Sequence, residues 1–173
     1  MALLALRGFS VLEIGLLESI FHIVSFCFEL PSGVVADVFG RKRTLVLSQV
    51  MMLLSGGLMI LSDSFGTVAL AIGSSALSYN LASGTREALA YDSLKKDGNE
   101  GAYNRFSSTE MMFYRITQSA ATLCAGLALW LGYRKAYMLD LLFGLGALFI
   151  AGSLQEVMED VETKNKSSRE QLC

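Results

Sequence analysis

Three stretches without a single charged residue constrain this chain more than any other feature: Thr44–Ser62, Ser64–Thr85 and Ile116–Tyr133, of 19, 22 and 18 residues. At about 1.5 Å per residue, roughly 20 helical residues cross the ~30 Å hydrocarbon core of a bilayer. A soluble domain of 173 residues needs a charged skin, yet only 17% of this chain is charged and 53% is hydrophobic, against an ordinary charged share of about 25%. The charges are bunched between the apolar runs instead. Disorder, coiled coil and a disulfide scaffold are excluded. The pattern predicts an all-α integral membrane protein.

Helix is the default for such runs because unpaired backbone groups cannot face lipid. A β-barrel would alternate polarity along each segment, whereas Val68–Ile72 is continuously apolar. Five spans are expected, at about 14–38, 44–62, 66–91, 111–131 and 136–154. They form one transmembrane unit over residues 1–154, and 155–173 reads as a disordered, mixed-charge tail. Met1–Leu6 is too short for the apolar core of a signal peptide and reads as the last turns of a helix. Asp92–Glu110 is the one connection long and polar enough to include a surface helix or loop.

Other classes fall away. Net charge is −2 and no basic arm is present, so no nucleic-acid partner is expected. A single histidine and three separated cysteines (Cys27, Cys124, Cys173) offer no metal site, and no cofactor is implied. No hydrolase, nucleotide-loop or zinc-protease motif occurs, so the chain is not read as an enzyme. Of the lysines and arginines, ten fall on the side of Gly40–Arg43 and three on the other. The positive-inside rule then places Gly40–Arg43 and the C-terminus in the cytoplasm, in a multi-pass protein of the cell (inner or plasma) membrane.

Polar residues recur within the spans. With Glu18 at zero and about 100° per residue, His22 falls near 40°, Ser25 near −20°, Glu29 near 20° and Gly33 near 60°. Intramembrane carboxylates cost at least ~2.5 kcal/mol each at mid-bilayer, so this face is expected to meet protein or water. It is either a pathway-lining stripe, with Glu29 deepest, or a set of contacts that fix helix packing; His22 can simply pair with Glu18 one turn away. Arg115, Gln118, Ser119 and Thr122 make a second stripe in the fourth span. Arg115 lies shallower than Glu29, and it either contacts solute or snorkels to the headgroups. Asp140, about one turn from the end of its span, reads as interfacial.

The most specific segment is Gly33-Val34-Val35-Ala36-Asp37-Val38-Phe39-Gly40-Arg41-Lys42-Arg43. It ends one helix, turns tightly at Gly40 and starts the next. Gly33 suits a close helix contact. Asp37 sits at the electrostatically wrong end of its helix, which predicts a compensating partner, either a basic residue or another helix's N-terminus. Lys42 and Arg43 alone would serve as a positive-inside anchor.

The whole segment resembles the signature loop between the second and third helices of the major facilitator superfamily, G-x-x-x-D-x-x-G-R-[KR]-[KR]. Phe28–Gly33 is similar to the end of the family's second helix in bacterial members, and Ser83–Asp92 to the end of the fourth. Asn80 stands where drug antiporters of the family often carry arginine, and Ile116–Tyr133 lacks the proline of their fifth-helix motif. The resemblance implies part of the family's N-terminal six-helix half, helices two to six, with 155–173 opening the linker between halves. It implies movement of a small, unidentified solute by alternating access. Gly33, Asp37, Gly40, Arg41, Lys42 and Arg43 would gate that movement, with Asp92 or Glu87 as the acid facing Arg41. A missing C-terminal half, or another membrane subunit, would be the partner besides the lipid bilayer. The alternative is a membrane-embedded interaction protein that does not transport, or an inactive gene fragment.

Overall fold

The computed structural model describes residues 2–61, 63–124, 126 and 130–154. The elements are α1 (Ala2–Leu6), α2 (Val11–Phe39), α3 (Arg41–Leu61), α4 (Phe65–Lys96), a 3-10 turn at Glu100–Ala102, α5 (Tyr103–Leu123) and α6 (Tyr133–Ser153). No strand occurs among the described residues. The expected tail at 155–173 lies outside them.

Local chemistry sets the helix ends. Ser10 and Glu13 form a capping box at the start of α2: the Ser10 hydroxyl accepts from the Glu13 amide, and the Glu13 carboxylate accepts from the Ser10 amide at 2.8 Å. Two of the amides that a helix N-terminus leaves unpaired are thus satisfied. Ser64 caps α4 in the same manner through Thr67. Between α2 and α3 only Gly40 intervenes, at φ +91°, a conformation that residues with a Cβ avoid. Arg41, Lys42 and Arg43 are therefore the first turn of α3 rather than a loop. Thr44 locks this corner, its buried hydroxyl and its amide both donating to the Gly40 carbonyl at 2.9 and 3.1 Å.

Several expected boundaries move. α4 runs to Lys96 and α5 starts at Tyr103, so the long polar connection shrinks to Asp97–Ala102. The first charges mark where a helix leaves the hydrocarbon, not where it stops. Lysines are good helix formers, and Lys95 and Lys96 suit the negative end of α4. At 32 residues, α4 is about 48 Å long and overshoots a bilayer core. Among the described residues three helices, α2, α3 and α6, are both long and apolar enough to cross a membrane. The chain is an all-α membrane bundle.

α4 lies between α2 and α3, and α3 carries α6 on its other side. Leu4, Leu17, Met59, Val68, Ala71 and Ile72 form a buried cluster that gathers α1, α2, α3 and α4 near the Asp63 end. The α3–α6 contact is reciprocal. A Cβ on Gly56 would stand 2.9 Å from Leu141 Cδ2, and one on Gly144 2.9 Å from Leu53 Cδ2. Each glycine is a socket for a leucine of the facing helix. Gly33, expected to make such a contact, does not: nothing lies within 4 Å of its Cβ position. α2 turns buried Ser32 and Ala36 inward and leaves Gly33 on an open groove. α5 meets the bundle at its α4 end and buries no residue.

Candidate functional site

α2 and α4 enclose a groove of about 530 Å³ that runs toward Gly40. Its walls are unusually polar for a membrane bundle. Ser25, Glu29 and Asp37 come from α2, Asn80 and Thr85 from α4, and Arg41 closes the Gly40 end.

Arg41 is held from two directions. Its guanidinium donates from Nη1 to the Ala88 carbonyl and forms an ion pair with Asp92 Oδ2. Asp92 is buried, with 10% of its side chain exposed against 22% for Arg41. Because Gly40 delivers Arg41 as the first residue of α3, the pair fastens the α2–α3 corner to α4. Of the two acids considered for Arg41, it is Asp92 that meets it; Glu87 is exposed. Asp92 Oδ2 makes no hydrogen bond of good geometry, so the ion contact is what offsets its burial.

Midway along the groove, Asn80 and Ser25 join α4 to α2 by a two-point contact. Asn80 Nδ2 donates to the Ser25 carbonyl at 2.7 Å, and Ser25 Oγ donates to Asn80 Oδ1 at 3.0 Å. This contact escaped the sequence reading, where Asn80 figured only as a departure from an antiporter pattern. The available signal was an amide in the middle of an uncharged run, a position that demands a partner.

Other expected residues are less connected. Asp37 is exposed on the groove wall, and among the described residues it has no ion-pair partner, so the basic-residue alternative is not met. α2 packs through Ser32 and Ala36, which leaves Asp37 on the open side of the groove. Glu29 is exposed to the groove. His22 Nε2 lies 3.7 Å from Glu18 Oε1, an ion contact when the imidazole is protonated and too long for a hydrogen bond. Arg115 and Gln118 are exposed on α5, and their side chains do not reach the α2 stripe. The two polar stripes are therefore separate surfaces. Arg43 is exposed, and Lys42 is partly so and has an interaction of its own.

The sequence reading also missed a node at the opposite end. Arg7 Nε donates to Asp63 Oδ1 at 2.8 Å, and the Tyr133 hydroxyl donates to Asp63 Oδ2 at 3.2 Å. The Arg7 guanidinium lies 4.8 Å from the Tyr133 ring centroid, a cation–π contact. The hydrogen bond from Arg7 holds the Asp63 carboxyl below its usual range. The node ties the α1–α2 turn, the α3–α4 turn and the start of α6 together.

The model of the Major Facilitator Superfamily matches residues 1–172. The chain belongs to the major facilitator superfamily. No curated protein and no solved structure matches it. Within the Gly33–Arg43 segment, Arg41 is tied to the end of α4 while Asp37 stays open on the groove.

Proposed function

We propose that this major facilitator protein supplies one bundle of a transporter that moves a small solute by alternating access. The observation that carries this reading is the polar groove between α2 and α4, closed at one end by Arg41 and Asp92. Charged groups inside a membrane bundle are costly and are retained where they meet solute, water or a moving partner. Glu29 and Asp37 line the path. Arg41 with Asp92 holds the cytoplasmic end in one arrangement. All five long helices span, the inner or plasma membrane houses them, and the C-terminus is cytoplasmic.

Alternating access rocks one bundle against another around a midplane site. The open Asp37 wall of α2 and the unburied length of α5 are the surfaces a second bundle would cover, either the C-terminal half of the fold or another membrane subunit. The test is to reconstitute two samples in liposomes: the purified chain, and the tagged chain isolated from native membranes with its companions. Uptake of a panel of labelled solutes is then followed. Saturable flux is expected from the native assembly and none from the chain by itself. Saturable flux from the chain alone would overturn the one-bundle reading. Flux from neither sample would favour the second reading, a non-transporting membrane interaction protein, which the same open faces also suit.

A further inference from the structure

A second cavity, of about 460 Å³, lies between α3, α4 and α6, where Phe21 of α2 also reaches it. It opens to the surface, with Tyr79 and Phe143 exposed on its rim, and its lining is mainly apolar and aromatic, Phe21 and Met52 included. Ser78 and Gln49 contribute a few polar atoms, and Asp140 is the one charged group that lines it. A largely apolar cavity of this size with a few convergent polar groups is the usual form of a small-molecule site.

Asp140 is exposed on the open side of this cavity, but it lies deeper along α6 than its place in the sequence suggests. α6 starts at Tyr133, whose hydroxyl meets Asp63 in the α3–α4 turn, so that turn and Tyr133 share the surface level. Asp140 then lies about 10 Å further along the helix axis. Its side chain is too short to snorkel back, unlike that of lysine or arginine. Room for the carboxylate comes from Gly56, whose Cβ position is 3.8 Å from Asp140 Oδ2. Among the described residues Asp140 has no hydrogen bond and no ion pair. Arg134 and Lys135 precede it on α6, but six and five residues back they point about 120° and 140° away from it. Arg134 donates to the Tyr133 hydroxyl at 3.1 Å. A carboxylate at this depth, facing an aromatic cavity without a cation of its own, calls for one from outside.

We propose that the α3–α4–α6 cavity binds an amphipathic amine, its apolar or aromatic body against Phe21, Tyr79 and Phe143 and its ammonium on Asp140. The aromatic faces favour a cation, and the ammonium forms a charge-assisted hydrogen bond to the carboxylate. The α2–α4 groove has carboxylates of its own, Glu29 and Asp37, so a Glu29→Gln variant separates the two sites. The site adjoins the α2–α4 groove, with Tyr79 as a shared wall, and binding requires no transport.

The test is equilibrium binding of labelled 4-phenylbutylamine to the full chain in nanodiscs, with neutral 4-phenylbutanol for comparison. Wild type should bind the amine saturably and more tightly than the alcohol. Asp140→Asn should weaken the amine roughly tenfold or more and leave the alcohol unchanged. Ala147→Trp keeps Asp140 and fills the cavity from the α6 wall, so it should exclude both molecules even where Asp140→Asn proves hard to fold. No saturable amine binding by wild type, equal binding by Asp140→Asn, or a loss produced by Glu29→Gln in its place would each overturn the proposal.

Discussion

Arg41, the first residue of α3, is ion-paired with Asp92, one turn from the end of α4, and donates to the Ala88 carbonyl one turn earlier on that helix. The contact lies between the two limiting cases of ion pairs, since Arg41 is about one-fifth exposed and Asp92 one-tenth. Removing one partner should cost more than the ~1 kcal/mol of a surface pair and less than the ~3–5 kcal/mol of a fully buried one. Arg41→Ala should be the worse substitution because it strands the more buried charge; Asp92→Asn leaves Arg41 its carbonyl. Thermal unfolding in nanodiscs, with the double variant Arg41→Ala/Asp92→Asn closing the cycle, measures the coupling. Additive losses in the double variant would show that the two side chains do not stabilise each other.

The glycines should rank in an order that their sequence context does not suggest. Gly33→Ala meets nothing within 4 Å and gains helix propensity of up to ~1 kcal/mol, so it should leave stability unchanged or raise it. Gly56→Ala brings a methyl to 2.9 Å from Leu141 Cδ2 and 3.3 Å from Cγ, whereas Gly144→Ala crowds only the tip of Leu53. Overpacking costs roughly 1–3 kcal/mol, and Gly56→Ala should fall in that range while Gly144→Ala costs less. Leu141→Ala should relieve Gly56→Ala in part. A melting series in which Gly33→Ala is the most damaging would reverse this account of the packing.

How much could be read beforehand depended on whether a feature was local. The tight corner at Gly40, the basic start of α3 and the helical nature of the long segments are encoded within a few residues of themselves. Asp92 could be narrowed to one of two acids because Glu87 and Asp92 end the same helix. Ser25–Asn80, Arg7–Asp63–Tyr133 and the leucine sockets could not, because each joins residues on different helices and periodicity along one helix does not specify its neighbour. Gly33 was misjudged for the same reason. Small residues allow close approach, but the face that packs is chosen by Ser32 and Ala36. The sequence leaves the polar connection open between a surface helix and a loop, because loss of apolarity marks the edge of the hydrocarbon and not the end of a helix.

Asp63 makes the Asp63-end node sensitive to acid. Arg7 lowers its carboxyl below the ordinary value of 3.8, and the Tyr133 hydroxyl assists. A carboxylate with a depressed folded value contributes stability that is fully present above the unfolded value and is lost as pH falls through the folded one. Wild type should therefore melt above Asp63→Asn by a constant margin from neutral pH down to about 4, and the margin should shrink below 3.8. A margin that is the same at every pH would mean that Asp63 acts through packing rather than charge.

The basic bias of the chain predicts its orientation, and the fold sharpens where to look. Arg41–Arg43 form the first turn of α3 at one end, whereas Arg134 and Lys135 open α6 at the other, level with Asp63. Counting these groups, ten basic residues fall on the first side and three on the second, and such asymmetry sets which side stays in the cytoplasm. With Cys27 and Cys124 replaced by serine, Cys173 should resist an impermeant thiol reagent in intact cells and react after lysis. Lys135→Cys in the Cys173→Ser background should react in intact cells. Labelling of Cys173 from outside, with Lys135→Cys silent until lysis, would invert the protein in its membrane and move the Arg41–Asp92 pair to the outer face.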